Sequence, residues 1–470
     1  MNADERHDIV VVGCGAAGLS AAVSYAESAG SSREARIAVL EKAPEAERGG
    51  SSRWTEAGMR VDQEFVLDPL WIDEMYEVSK GLVDRDLLTA FERAVPETGR
   101  FLRDHDVEFI DCTGAIGTSG AWMMPGGGGR AIVDALARHL GEHSGATIHY
   151  ETEAVSLAVA DDGRVNGVRV RSSDGAMRTL YADAVVLACG GFQGSYEMLT
   201  RYLGRDAVNL RRIVPGTRFN TGDGIRMALE LGAATAGQFD RAHTECVDTR
   251  TDRPDAIVMW HNYAIVVNSE GRRFLDEGEK NVFNSFEPVA FDIWEKAGNT
   301  AFYITDETAA GDSRLSPLFS TAIPAAQADT IAELATMLGL DPATLELTVA
   351  EFNAACADAP WDPATYDGKA TIGLDPPKSN WASPIVRPPY YGAPVTAAIV
   401  FSYGGLQTDA DARVLSTGGF TIPGLYAVGE LTGITYHAYP PLTQVLRACT
   451  FGRIAGAHAA AHARALVETH

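Results

Sequence analysis

No C-x-x-C pair occurs in this chain of 470 residues; its six cysteines (Cys14, Cys112, Cys189, Cys246, Cys356 and Cys449) are scattered. Haem attachment, an iron–sulfur cluster and a zinc ribbon therefore find no support, and free buried thiols in a reducing cytoplasm are expected. No metal site is expected either. Basic residues are scarce: 39 Lys and Arg stand against 63 Asp and Glu, a formal charge of −24. That balance argues against nucleic acid or an anionic membrane surface as a partner. It also means that an anionic substrate needs a local cationic pocket. No stretch approaches the roughly 18 apolar residues of a membrane span. The opening Met1-Asn2-Ala3-Asp4-Glu5-Arg6 is too polar and acidic for a signal peptide, so a cytoplasmic location is expected. Repeats and low-complexity tracts are missing as well. The length suggests two to three domains with an ample core.

What the chain does have is glycine at telling places. An apolar run, His7-Asp8-Ile9-Val10-Val11-Val12, breaks into Gly13-Cys14-Gly15-Ala16-Ala17-Gly18 and an alanine-rich helical pattern. A second apolar run, Ile37-Ala38-Val39-Leu40, ends at Glu41. Strand, glycine turn, helix, strand and acid in this order point to a dinucleotide site rather than to a merely structural turn. Gly13 permits the tight turn, Gly15 lets backbone approach a pyrophosphate, and Gly18 lets helix and strand pack closely. The pyrophosphate is expected over the unpaired N–H groups of the helix start, with Glu41 accepting from a ribose diol. Gly49-Gly50-Ser51-Ser52 then offers backbone able to wrap a flat ligand.

Periodicity predicts helix within 67–105 and again over 131–140, after four glycines and Arg130. Strand-like runs follow at 147–150, 154–159, 165–171 and 184–187, the last leading into Cys189-Gly190-Gly191-Phe192. Thr221-Gly222-Asp223-Gly224 opens another helix. From about 236 to 385 strands and helices mix and end in a proline-rich return over 360–394. The expected fold class is α/β. A Rossmann-like dinucleotide-binding domain (1–238 and 386–470) carries an inserted α+β capping, or substrate, domain (239–385). The returning part is expected to open with a strand at 397–401 and to end in a helix over 443–467.

The choice of FAD rests on a second strand-plus-acid signal, Leu425 to Glu430, close before the C-terminal helix. An extended FAD spans from the first turn to such a distant helix end, so the dinucleotide-binding domain is expected to be a Rossmann-like FAD-binding domain of glutathione-reductase type. Glu430 is expected near the ribityl–pyrophosphate region. The helix start around Gln444 and Val445 is expected to aim its N–H groups at the flavin N1–C2 edge.

Several segments carry a family resemblance: Gly49-Gly50-Ser51-Ser52, Ala188-Cys189-Gly190-Gly191-Phe192, Thr221-Gly222-Asp223-Gly224, Gly271-Arg272-Arg273-Phe274, Gly404-Gly405-Leu406 and Phe451-Gly452-Arg453. Together the chain resembles, almost end to end, the FAD flavoproteins that include fumarate reductases and 3-ketosteroid dehydrogenases. Asp367-Gly368-Lys369, Leu374-Asp375-Pro376-Pro377 and His437-Ala438-Tyr439-Pro440 place it closest to the tricarballylate dehydrogenase branch. The resemblance implies that Gly13, Gly15, Ala16, Ala17 and Gly18 hold the pyrophosphate, with Glu41 and Lys42 at the adenosine. It also implies Ala154 and Val155 at the adenine, Gly50, Ser51 and Ser52 around the isoalloxazine, and Gly190, Asp223 and Glu430 completing the shell. Ser52 stands where some relatives carry a flavin-linking histidine, so the FAD is expected to be non-covalent.

The implied reaction desaturates a CH–CH unit beside a carboxylate or ketone, or saturates it in reverse. A hydride exchanges with flavin N5, and a neighbouring proton must also be handled. Lys280 stands at the position of the fumarate reductase proton donor. Phe401 and Tyr439 stand where those enzymes hold dicarboxylate with histidine and arginine. Tyr439-Pro440 matches a ketosteroid dehydrogenase segment that donates to the substrate carbonyl, with Pro441 in place of its glycine. Tyr403 is the candidate partner phenol and His437 a candidate relay. Arg130, Arg53 and Arg447 are candidate carboxylate anchors, while His261 and Trp260 are candidates for lining the cleft. A small tricarballylate-like substrate, a cyclic ketone, the reverse reduction and a non-catalytic flavin sensor all remain open. So does the electron acceptor.

Overall fold

The computed structural model describes residues 5–30, 35–115, 120–143, 145–253 and 256–468. Its larger sheet has eight strands. Thr421–Ala427, Met177–Leu187, Glu5–Val12, Ile37–Leu40 and Ala146–His149 run parallel in that spatial order. Val10 lies opposite both Ala38 and Val185, so the first strand is covered on both edges and reads as an unbroken apolar run. Thr152–Val159 and Val165–Ser172 add an antiparallel flap beside Met177–Leu187.

The alanine-rich helix Ala16–Ser28 follows the glycine turn and is clasped by the C-terminal helix Gln444–Glu468. A Cβ on Gly452 would lie 2.3 Å from the Ala17 carbonyl oxygen, and one on Gly456 2.2 Å from that of Ala21. Only glycine permits this approach.

A second, six-stranded sheet runs antiparallel in the order Ala242–Asp248, Tyr390–Ser402, Ala301–Asp306 and Ile265–Asn268, and the short Arg211–Arg212 joins Tyr390–Ser402 in parallel. The helix Val282–Lys296 packs on its first two strands. The long strand Tyr390–Ser402 corrects one expectation. The segment 397–401, assigned from sequence to the returning FAD-binding part, is the inner end of the cap's central strand. Its apolar run carries no mark of which sheet it joins, and the pairing with 242–248 decides it. The proline-rich return is irregular over 357–389 and is pinned by side chains. Lys369 Nζ donates to the carbonyls of Ala357 (2.9 Å) and Ala359 (2.6 Å), and Lys378 Nζ to that of Ala264 (2.5 Å).

Candidate active site

A crevice of about 850 Å³ opens at the C-terminal ends of the parallel strands. Gly13, Gly15, Ala17, Glu41, Lys42, Gly50, Ser51, Ser52, Ala154, Gly190, Asp223 and Glu430 all line it. The backbone there is built for close approach. Gly13 holds φ +112°, and a Cβ on it would strike the Ala188 carbonyl at 2.4 Å. A Cβ on Gly18 would lie 2.0 Å from the Gly13 oxygen. The helix Ala16–Ser28 starts from Gly15, which has no side chain to cap it, and its first turn carries no acid. A helix N-terminus with no capping side chain on its own first residue fits an anion.

Around the crevice the polar groups are already paired. Burial raises the Glu41 carboxyl above its ordinary range, and Glu41 accepts from the Ala43 N–H at 2.8 Å. Lys42 Nζ lies 3.0 Å from both Asp223 and Glu153, and burial opposes its charge less than these carboxylates favour it. Ser51 Oγ accepts from Asn220 (3.1 Å) and Ser52 Oγ from the Ala16 N–H (3.3 Å). Glu430 accepts from the Ser402 N–H (3.0 Å) and Gln193 (3.2 Å), which ties the crevice to the inner end of the long cap strand. Val155 is exposed and is not among the lining residues, because alternation along its strand turns it away from Ala154.

The start of the C-terminal helix differs from expectation. The Tyr439 hydroxyl accepts from the N–H of Thr443 and of Gln444, each at 2.8 Å, so this phenol caps the helix. The N–H of Gln444 is thus directed at the Tyr439 oxygen. Gln444 Oε1 accepts from Arg447, whose guanidinium is buried, pushed down to about 10 by that burial, and also bonded to Thr432 Oγ1 at 2.6 Å. Val445 is half-buried beside them.

Tyr439 sits within a continuous set of aromatic contacts. Its ring lies 5.0 Å from Phe401 and 5.1 Å from His243. His243 meets Phe286 at 5.0 Å, Phe286 meets Phe283 at 6.4 Å, and Phe283 meets Trp122 at 6.2 Å. Leu442 and Trp122 converge on Gly58, where a Cβ would lie 2.6 Å and 3.3 Å from them. The rings come from segments far apart in the chain.

His243 also joins an ionisable group of four whose other members are Glu245, Glu287 and Tyr403. His243 Nδ1 is 2.5 Å from Glu287 and its Nε2 3.3 Å from Glu245. The Tyr403 hydroxyl donates to the other oxygen of Glu287. Burial opposes a charge on His243, but the bonds and charges of Glu245 and Glu287 outweigh it and hold the imidazole up at about 9. Burial and the Glu287 charge push the Tyr403 phenol well above its ordinary value.

Six candidate residues lie elsewhere. Lys280 is exposed, and its carbonyl, not its ammonium, is what Asn262 Nδ2 holds, at 2.8 Å. His437 is exposed, with φ +60° and its N–H donating to Gln238, because the turn before Tyr439 swings it outward. Arg130, with 66% side-chain exposure, pairs with Asp134 on the next helical turn, and Arg53 joins the same carboxylate at 2.9 Å. His261 and Trp260 belong to cap packing. His261 Nε2 meets Ser285 Oγ at 2.9 Å, and burial pushes the imidazole down to about 3, while Trp260 tilts against Phe319. Sequence reasoning missed His243, Glu245 and Glu287. A His-x-Glu pair on one face of a strand and a lone Glu within the apolar helix Val282–Lys296 were the available signals.

The sequence model of the FAD binding domain family matches residues 8–445, and the chain belongs to that family. FAD is its cofactor, and it is an FAD-dependent oxidoreductase. It is 27% identical to the fumarate reductase (cytochrome) of Shewanella frigidimarina over 97% of this chain and 77% of that one. With the 3-oxosteroid 1-dehydrogenase of Mycobacterium tuberculosis it shares 30% identity over 71% of this chain and 63% of the other. The NADH:acrylate oxidoreductase of Vibrio harveyi is 32% identical over 70% of this chain, which spans about a third of that protein's length (32%). Among solved structures, the open conformation of a flavocytochrome c3 fumarate reductase superposes with a TM-score of 0.79 and 26% identity, covering 98% of this chain and 79% of that one. No helix among the described residues is long and apolar enough to cross a membrane.

Proposed function

We propose that this chain is an FAD-dependent oxidoreductase of a CH–CH bond conjugated to a ring-bearing carbonyl compound, with Tyr439 as hydrogen-bond donor to the carbonyl oxygen. One observation carries the reading. The Tyr439 oxygen accepts two helix N–H groups, so both its lone pairs are engaged and its own proton is left to donate. A phenol polarised by a helix N-terminus and beside buried Arg447 is suited to stabilise an enolate as it forms. FAD, bound non-covalently in the crevice with Ser52 at its flavin end, supplies a two-electron hydride centre. The chain's own residues orient the carbonyl, exclude water with the aromatic rings and manage the proton.

A tricarballylate-like polycarboxylate, the other substrate reading, is less well supported. Arg53 and Arg130 are committed to Asp134, Lys280 is exposed, and Phe401 offers no charge. The His243 charge near Tyr439 is already matched by Glu245 and Glu287 and is not left to anchor a polyanion. The test compares tricarballylate, fumarate, cyclic ketones and aryl enones, using a dye acceptor in one direction and a dye donor in the other. Turnover is expected with the ring-bearing carbonyl compounds. Tyr439→Phe is expected to lower kcat about a hundredfold while leaving the flavin absorbance intact. A Tyr439→Phe enzyme with wild-type kcat overturns the assignment.

A further inference from the structure

Both nitrogens of His243 face carboxylate oxygens, and an ionised carboxylate only accepts. Each nitrogen must therefore carry a hydrogen, which makes the ring an imidazolium clamped between Glu245 and Glu287. Glu287 is itself fixed: it is buried, it projects from the cap helix Val282–Lys296, and its second oxygen is held by the Tyr403 hydroxyl. The ring so held lies edge-on to Tyr439, 5.1 Å away.

Building on the substrate site assigned to Tyr439, we propose that Glu287 is the positioning residue of a proton-delivery pair, Glu245–His243, which gives a proton to the substrate carbon next to the carbonyl. The enzyme then runs in the saturating direction. In that step the Nε2–H of His243, held by Glu245 at the longer distance of 3.3 Å, leaves that carboxylate for the substrate; its N–H bond breaks, and the proton forms a C–H bond with the electron pair of the enolate carbon. The enolate oxygen, held by Tyr439, returns to a carbonyl. The two electrons enter beforehand as the hydride of reduced flavin, which an external two-electron donor must supply. His243 is left neutral and regains its proton through Glu245, whose side chain keeps 18% exposure while His243 keeps 4%. This places the proton source in the cap sheet rather than at exposed Lys280.

The groups facing this pair come from every element packed on it. They are Glu287 from the cap helix, Tyr403 at the end of the long strand, Tyr439 with Arg447 behind it, Arg241 near Tyr403, and Glu56, whose charge reaches Glu245.

The experiment uses the FAD-loaded enzyme, 15N-labelled at histidine, and its Glu287→Gln variant. The His243 imidazole is titrated by NMR without substrate, and benzylideneacetone reduction by dithionite-driven viologen is followed against pH. In the wild type His243 is expected to titrate near 9, with kcat falling above that pH. In Glu287→Gln both midpoints are expected to drop by roughly one pH unit or more, with KM nearly unchanged and the flavin spectrum retained. A His243 titration unmoved by the substitution, or a kcat lowered equally at every pH, overturns the proposal. Should Glu287→Gln not fold, Glu245→Gln gives the same readouts, with a smaller downward shift expected and an unshifted profile again overturning it. The titration needs no substrate, so it tests the clamp by itself. Wild-type failure to reduce benzylideneacetone alongside an intact titration overturns the delivery step and the substrate reading together.

Discussion

At the scale of single residues, His243 decides more than its burial suggests. A buried imidazole would ordinarily lose its charge, as His261 does in the same domain. His243 keeps it because two carboxylates reach it, and the folded protein holds it at about 9 against an ordinary value of 6.5. The sign of the linkage follows from that upward shift. The pair's contribution to stability is complete below about pH 6.5, where folded and unfolded chains both carry the proton, and it is lost as pH rises through about 9. Thermal unfolding of the wild type and of His243→Phe between these limits measures it. The wild-type Tm is expected to fall about 2–4 °C further than the variant's, because the variant has no imidazolium to discharge. Parallel Tm curves would mean that the charge is not held by the fold.

At the scale of elements, the contact between the dinucleotide helix and the C-terminal helix carries the cofactor crevice. Helix propensity alone favours alanine over Gly456 by about 1 kcal/mol. Packing reverses the preference, because the new Cβ would lie 2.2 Å from the Ala21 carbonyl oxygen, which is backbone and cannot swing aside. Gly456→Ala is therefore expected to lower stability by about 1–3 kcal/mol and to weaken FAD retention on gel filtration. A gain in stability would contradict the close helix contact. This mechanical economy explains what was legible in the sequence. Gly13, Gly15 and Gly18 each answer one backbone demand at a fixed spacing, and Glu41 marks a strand end, so the crevice could be found from one short stretch. The reacting end could not. His243, Glu287, Tyr403 and Tyr439 come from four separate elements, and no local spacing records that the cap sheet and cap helix bring them together. Lys280 misled for the same reason: its position in a motif was legible, whereas the turn that exposes it depends on Asn262 gripping its carbonyl. The segment 397–401 was likewise recognisable as a strand but not as a member of the cap sheet.

At the scale of the whole molecule, the net charge of −24 acts on every anion that approaches. At the site the charges are mixed: His243 is matched by Glu245 and Glu287, Arg53 and Arg130 are paired with Asp134, and Arg447 is bonded to the neutral Thr432 and Gln444. A polycarboxylate would meet repulsion on approach, whereas a neutral ring-bearing carbonyl compound would not. Salt separates the two cases, because its screening length shrinks from about 30 Å at 0.01 M to about 8 Å at 0.15 M. For a neutral enone such as benzylideneacetone, kcat/KM is expected to change by less than about twofold across that range. For fumarate or tricarballylate, any residual kcat/KM is expected to rise severalfold as the field is screened. A polycarboxylate whose kcat/KM is high at low salt and falls as salt is added would require a cationic anchor at the site, and would restore the acid-substrate reading that Phe401 and Tyr439 argue against.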